Sequence, residues 1–337
     1  MIFIAQGKSL KKIPKIFASL SKVTERSLCI LNGVLGDTLE KRNAALAMKM
    51  RLYIADKPLT MAKRSLRKIN LPENGKICIL AHGSCGSEKG WGFKDNSSIH
   101  YGSLLEKDRG FTSFFLRYNS GLHISTNGKR LSDLLEKFIL SYPRKIREIV
   151  LVGHSMGGLV FRSACHYGQK ENKKWVKLVR KVFYLGSPHL GTHFEKLGKL
   201  TTTLLNQIPN PITKALVFLG DLRSAGIKDL RHGYLVDEDW KKKNADRLFY
   251  WHENKTPLLK KANHYLICGT LSKVADSKMG RLFGDGLVHP ASARGRSLFT
   301  LNPIPFLEEH CKIIPGISHT HLQRSARVYE QIRKWCD

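Results

Sequence analysis

One stretch constrains this chain more than any other: Glu148-Ile149-Val150-Leu151-Val152-Gly153-His154-Ser155-Met156-Gly157-Gly158-Leu159-Val160. An apolar run of buried-strand type meets a serine with a glycine two places before and two places after it. A helix-like segment, Met156 to about Tyr167, follows at once. A strand that turns straight into a helix brings two backbones close together and forces the residue at the turn into a strained state. The positions two before and two after that residue must therefore be small. Gly153 and Gly157 meet the requirement and Gly158 extends it. The turn also sets Ser155 at a helix N-terminus, where unpaired N–H groups and the positive end of the dipole favour a developing anion. A GxSxG pattern alone is weak; the strand before it and the helix after it give it weight.

Further apolar runs share the character of that strand. They are Lys76 to Ala81, ending at His82-Gly83; Phe111 to Tyr118, closed by Asn119-Ser120-Gly121; Val182 to Leu185, leading into Gly186-Ser187-Pro188; and His264 to Cys268. Helical segments are predicted around Arg130 to Leu140 and Leu322 to Trp335. Strands that are apolar throughout, alternating with helices, predict an α/β fold with a mainly parallel sheet covered by helices on both faces. Sheets of this kind carry their chemistry beyond the carboxyl ends of the strands. The unusual residues lie there: His82-Gly83, Ser155 and Gly186-Ser187-Pro188.

The chain has 337 residues, 42% of them apolar, enough for one large core or two modest ones. Residues 73–337 form the predicted main domain, preceded by a helical, basic N-terminal extension over 1–72 with no strand identified in it. In that extension Ile2, Phe3, Ile4, Leu10, Ile13, Ile16, Phe17 and Leu20 interleave with Lys8, Lys11, Lys12 and Lys15. This is the pattern of a basic amphipathic helix, suited either to an anionic membrane surface or to packing on the domain. A second helix is predicted over about Leu39 to Leu52. Between the Gly186 turn and the His264 strand, about 192–260 reads as a helical cap, with Leu204, Leu205, Ile208, Ile212, Leu216, Val217, Phe218 and Leu219 inside it. Seven cysteines without a CxxC or a repeated spacing predict free thiols, neither a disulfide framework nor a zinc site. Met1 to Gln6 is too short an apolar start for a cleaved export signal. The expected location is cytoplasmic, with peripheral contact to anionic membranes suggested by the net charge of +30. The charge is spread along the chain, and no helix-turn-helix, zinc-finger or stacking motif is present, which argues against specific nucleic-acid recognition.

A serine hydroxyl needs a base within hydrogen-bond reach, and the base needs an orienting carboxylate. In the α/β-hydrolases, which such a strand-to-helix serine turn resembles, the chain order is serine, acid, histidine. Gly284-Asp285-Gly286 follows the His264 run, and its glycines suit an acid on a tight loop at a strand end. Asp221, Asp229, Asp237 and Asp239 fall in the cap segment and read as surface charges. Late in the chain, His319 and His321 of Gly316-Ile317-Ser318-His319-Thr320-His321-Leu322 are both candidates for the base, whereas His310 leans on an apolar run and reads as structural. An oxyanion needs two backbone N–H donors. Met156, next after the serine, and Ser84, in the loop after the first apolar run, are the candidates.

Together these residues resemble the bacterial lipase and esterase branch of the α/β-hydrolases, including the group related to GPI inositol-deacylases. The likeness runs from about Lys76 to the C-terminus and rests on ILAHG, VLVGHSMGGLV, FYLGSPHLGT, GDGLV followed by Ser292-Ala293, and a late HxxL before the closing helix. It implies the α/β-hydrolase fold and a triad of Ser155, Asp285 and His319. His319 is preferred because it stands three residues before Leu322 and nine before Val328-Tyr329. Where some relatives place a calcium-binding aspartate, two residues after the histidine, this chain has His321, so no metal is expected; His189 and His193 likewise read as non-metal. No cofactor is expected. The activity implied is hydrolysis of carboxylic esters, on a lipid or other hydrophobic ester, through an acyl-enzyme. Alternatives are a thioesterase, an amidase or a GPI-like inositol deacylase with the same triad, and a non-catalytic basic membrane-binding protein.

Overall fold

In a computed structural model the described residues are 24–42, 45–67, 74–192, 224–241, 256–274, 284–297 and 300–337, with 69, 198, 202, 203, 205, 207 and 280 between them. The apolar runs become a single sheet. Its strands are β1 (Arg51–Ile54), β2 (Lys57–Pro58), β3 (Lys76–Ala81), β4 (Thr112–Arg117), β5 (Glu148–His154), β6 (Val179–Leu185), β7 (Asn263–Thr270) and β8 (Cys311–Pro315), ordered β2-β1-β4-β3-β5-β6-β7-β8. Strands β3 to β8 are mutually parallel. β1 runs antiparallel to β4, and β2 antiparallel to β1.

Alternate residues of each strand feed two cores. Ile77, Ile79, Ile149, Leu151, Val182 and Leu266 face one side, against α1 (Glu25–Lys41), α4 (Ile124–Ser141) and α5 (Met156–Lys170). Cys78, Leu80, Val150, Val152, Phe183 and Ile267 face the other, against α3 (Tyr101–Arg109) and α9 (Ala326–Trp335). Short helices α2 (Lys63–Arg67), α6 (Ala225–His232), α7 (Asp237–Trp240) and α8 (Pro290–Ala293) complete the described elements. Burial on both faces is why the central strands read as continuous apolar runs rather than alternating ones.

The N-terminal region departs from the sequence expectation. No strand is anticipated in 1–72, yet β1 and β2 form the edge of the sheet there, and the helix predicted over Leu39 to Leu52 is instead the end of α1, a turn and β1. A four-residue strand is too short to express a period of two, and Pro58 is tolerated because β2 is an edge. Helix α1 starts where Thr24 Oγ1 accepts the N–H of Ser27 at 3.2 Å, with Glu25 in its first turn and Lys41 in its last. Its inner face carries Ile30, Leu31, Val34, Leu35 and Leu39, all buried. Gly33 lets it approach the loop after β3: a Cβ there would lie 2.1 Å from Cys85 Sγ. Helix α1 and strands β1 and β2 are thus built into the domain core and sheet rather than forming an extension outside it. The amphipathic stretch Ile2 to Leu20 and most of 192–260 lie outside the described residues.

Candidate active site

Every candidate residue stands just past the carboxyl end of a strand. Ser155 directly follows β5 and caps the start of α5, with φ 52° and ψ −121°, a positive-φ state costly for a residue with a Cβ. The glycines around it permit the close approach. A Cβ on Gly157 would sit 2.4 Å from the Ala81 carbonyl oxygen, and one on Gly153 2.5 Å from Gly158 Cα. The Ser155 N–H donates to the Leu185 carbonyl at 2.8 Å, tying the turn to the end of β6.

Asp285 follows β7 and His319 follows β8. The Nδ1–H of His319 donates to Asp285 Oδ2 at 2.7 Å, and the backbone N–H of His319 donates to the Asp285 carbonyl at 2.9 Å. The second carboxylate oxygen accepts the N–H groups of Leu287 (3.0 Å) and Val288 (2.8 Å). Asp285 is therefore locked by its own loop, and it holds the His319 ring with Nε2 as the free acceptor. That Nε2 is buried without a hydrogen-bond partner among the described residues. His321 lies elsewhere: it is exposed and hydrogen-bonds Ser318 Oγ at 2.6 Å. His310 packs at a tilt against Tyr265, centroids 4.2 Å apart, and lines a different cavity. Asp229 proves buried, not a surface charge; it accepts from the Ile124 N–H at 2.7 Å and bonds His123 at 3.0 Å.

In the His82-Gly83-Ser84-Cys85-Gly86 loop, the N–H of Cys85 donates to Ser120 Oγ (2.9 Å) and that of Gly86 to the Gly83 carbonyl (3.2 Å). The loop's remaining amides are those of His82, Gly83 and Ser84. At the head of α5, the Met156 amide belongs to the first helical turn, whose N–H groups have no intrahelical acceptor. Ser155, His319, Gly83 and Ser84 all face one cavity of about 610 Å³.

One supporting residue, His154, has no role assigned from the sequence, and a second, Gly186, belongs to a turn that the sequence marks without giving it a role. His154 packs beside His319, ring centroids 4.9 Å apart, and its Nε2–H donates to the His319 carbonyl at 2.9 Å. Burial, helped by the neighbouring imidazole, pushes its pKa down to about 3, so it is a neutral prop for the His319 backbone. Gly186, at φ 60°, closes the other side: a Cβ there would lie 3.1 Å from both Asp285 Oδ2 and His319 Nδ1. Its place directly after an apolar run is the signal that marks this turn in the sequence. His82 stacks on Tyr118 at 4.4 Å and is likewise driven down, to about 4, by burial. All seven cysteines are free thiols. Among the described residues no three His, Cys, Asp or Glu side chains gather as a metal site, and His189 bonds Arg162 at 3.1 Å. No described helix is long and apolar enough to cross a membrane.

The walls of the cavity come from unexpected places. Thr24, Glu25, Arg26, Cys29 and Ile30 of the α1 region line it, as do Ile227 and Leu230 of α6. The N-terminal helix is thus part of the site.

Comparison with known proteins agrees with this architecture. The lipase BlEst2 of Bacillus licheniformis superposes with a TM-score of 0.51 at 18% identity, over 80% of this chain and 95% of the lipase. Naproxen esterase of Bacillus subtilis aligns over 94% of this chain and 100% of its own length, at 13% identity and a TM-score of 0.45. The first likeness shows the α/β-hydrolase fold. No curated protein sequence matches the chain. The family model of the PGAP1-like alpha/beta domain matches residues 73–257, from the threshold of β3 past β6 and through the serine turn. That match spans more than half of the chain, which therefore belongs to the PGAP1-like alpha/beta domain family.

Proposed function

We propose that this chain is a serine hydrolase that cleaves carboxylic esters through an acyl-enzyme. The observation that carries the reading is the single cavity faced by a strained Ser155 and by His319, whose Nδ1 is anchored 2.7 Å from Asp285. In the first step Ser155 Oγ attacks the ester carbonyl carbon while His319 Nε2 takes its proton. Asp285 holds the imidazole in the tautomer that leaves Nε2 free and stabilises the imidazolium that forms. The amides of Met156 and Ser84 receive the negative charge on the tetrahedral oxygen. His319 then returns the proton to the departing alkoxide. Water attacks the acyl-serine by the same path in reverse, with His319 as base, releasing the acid and regenerating the hydroxyl.

The fold hosts many acyl-transfer chemistries, so the triad alone does not select the leaving group. Esters come first because a lipase stands among the proteins of like fold, and the apolar lining at Ile30, Ile227, Leu230 and Leu287 suits an acyl chain. Helix α6, which falls within the segment 192–260 read as a cap, borders the cavity, and α1 supplies another part of its wall. The test is turnover of p-nitrophenyl esters of increasing chain length beside thioesters of the same acyl groups. Wild type exceeding Ser155→Ala on the esters is the expected result; no turnover above Ser155→Ala at any chain length overturns the reading.

A further inference from the structure

The cavity above Ser155 carries charges that the hydrolytic steps do not use. Arg26 of α1, Lys89 and Arg324, five residues beyond His319, all line it. Their partners differ. Lys89 is paired with Glu25, which also takes Arg117, so those charges are answered within the protein. Among the described residues Arg26 donates to the neutral amide oxygen of Gln207, at 2.6 Å, and to no carboxylate. The Arg324 side chain has no carboxylate and no hydrogen-bond acceptor among the described residues, and its Nε is buried without a partner. A guanidinium stays protonated at any working pH, and its N–H fork is shaped for oxyanions. A buried donor without an acceptor carries a desolvation cost that an arriving anion relieves. Ile30, Ile227, Leu230 and Leu287 give other parts of the same cavity an apolar lining.

We infer that the substrate is an acyl ester bearing a phosphate group, with Arg324 as the main determinant of that specificity and Arg26 assisting. The inference rests on the serine-hydrolase reading above. A planar carboxylate is satisfied by one guanidinium fork, whereas a tetrahedral phosphate accepts from donors on two sides, here α1 and the segment after His319. The acyl chain occupies the apolar lining with its ester carbonyl at Ser155, and the net charge of +30 favours approach of such an anion.

The test compares two soluble substrates with the same acyl ester, dihexanoyl phosphatidic acid and dihexanoylglycerol, both below their micellar concentrations. Wild type should prefer the phosphate ester in kcat/KM by about tenfold or more, and inorganic phosphate should compete with it. In Arg324→Gln the ratio of the two kcat/KM values should fall by roughly 10- to 100-fold, with partial recovery in Arg324→Lys. Arg26→Gln, at an exposed position, should lower the ratio more modestly and guards against a folding defect at Arg324. An unchanged ratio in both glutamine variants overturns the inference. Labelling of wild-type Ser155 by a fluorophosphonate without a preference for the phosphate ester overturns the phosphate site alone. Failure of that labelling, together with no turnover of either ester, removes the serine-hydrolase reading itself.

Discussion

Acidification should strip this fold of much of its stability above the pH at which ordinary carboxylates titrate. His82, His154 and His264 are buried as neutral imidazoles. Desolvation dominates each shift, lowering their pKa values to about 4, about 3 and about 4. Unfolding returns each ring to water and to a pKa of about 6.5. Below that value the unfolded chain binds protons that the native state refuses, so stability is full above about pH 6.5 and falls as the pH drops towards each folded value. At pH 5 each ring has cost about 2 kcal/mol relative to pH 8, about 6 kcal/mol for the three, if each titrates independently. A typical domain has about 5–15 kcal/mol to lose. His189, pushed down by burial beside Arg162, adds to the trend. His100 and His166, also lowered by burial, act in the same sense, and Asp229, whose carboxyl burial pushes up, opposes them as one group against six. Urea titrations at pH 8, 6.5, 5.5 and 5 measure the effect, with the slope against denaturant checked for constancy. His264 bonds the Tyr184 hydroxyl at 3.0 Å and the Leu259 carbonyl at 3.1 Å, so His264→Phe should be less stable at pH 8. It should also lose less between pH 8 and pH 5 than wild type, by about 2 kcal/mol. A wild-type midpoint unchanged from pH 8 to pH 5, or a His264→Phe dependence as steep as wild type, would refute the argument.

Three further outcomes follow from the site. Asp285→Asn should fold normally, because an asparagine oxygen still accepts from Leu287 and Val288, yet kcat should fall by about 10³- to 10⁴-fold as the His319 tautomer is lost; steady-state kinetics and thermal melts separate the two effects. His319→Ala should abolish turnover above the Ser155→Ala background, whereas His321→Ala should stay within about twofold of wild type, since an exposed side chain bonded to Ser318 offers the reacting centre nothing. Gly157→Ala should lower stability by about 1–3 kcal/mol and reduce activity together, because the new methyl meets the Ala81 carbonyl and must push α5 from the end of β3; chemical denaturation alongside an ester assay reads both.

The parts of this molecule legible in the sequence are those whose physics is local. A strand buried on both faces is apolar at every position, so β3, β5, β6 and β7 stand out in the text of the chain, and the serine turn announces itself through the glycines that a close strand–helix approach demands. Asp285 shows for a similar reason, between two glycines after a buried run. The two late histidines are different. His319 and His321 sit two residues apart on one short loop, and only the register of that loop against the carbonyl of Asp285 separates them; the preference for His319 came from family resemblance. The edge strands β1 and β2 were illegible because four and two residues carry no period, and β8 shows only as a short apolar run that its exposed Lys312 interrupts. The roles of α1 as a cavity wall and of His154 as a backbone prop are products of tertiary packing, with no trace in residue type or spacing.

The central claim is that Ser155 is an activated nucleophile. A fluorophosphonate adduct on the intact folded protein, located by peptide mass spectrometry, tests it most directly. The account predicts one adduct, on Ser155, slowed by a competing ester, absent in Ser155→Ala and strongly retarded in His319→Ala. A folded protein that takes no adduct, or takes it at another residue with Ser155 untouched, would contradict the account.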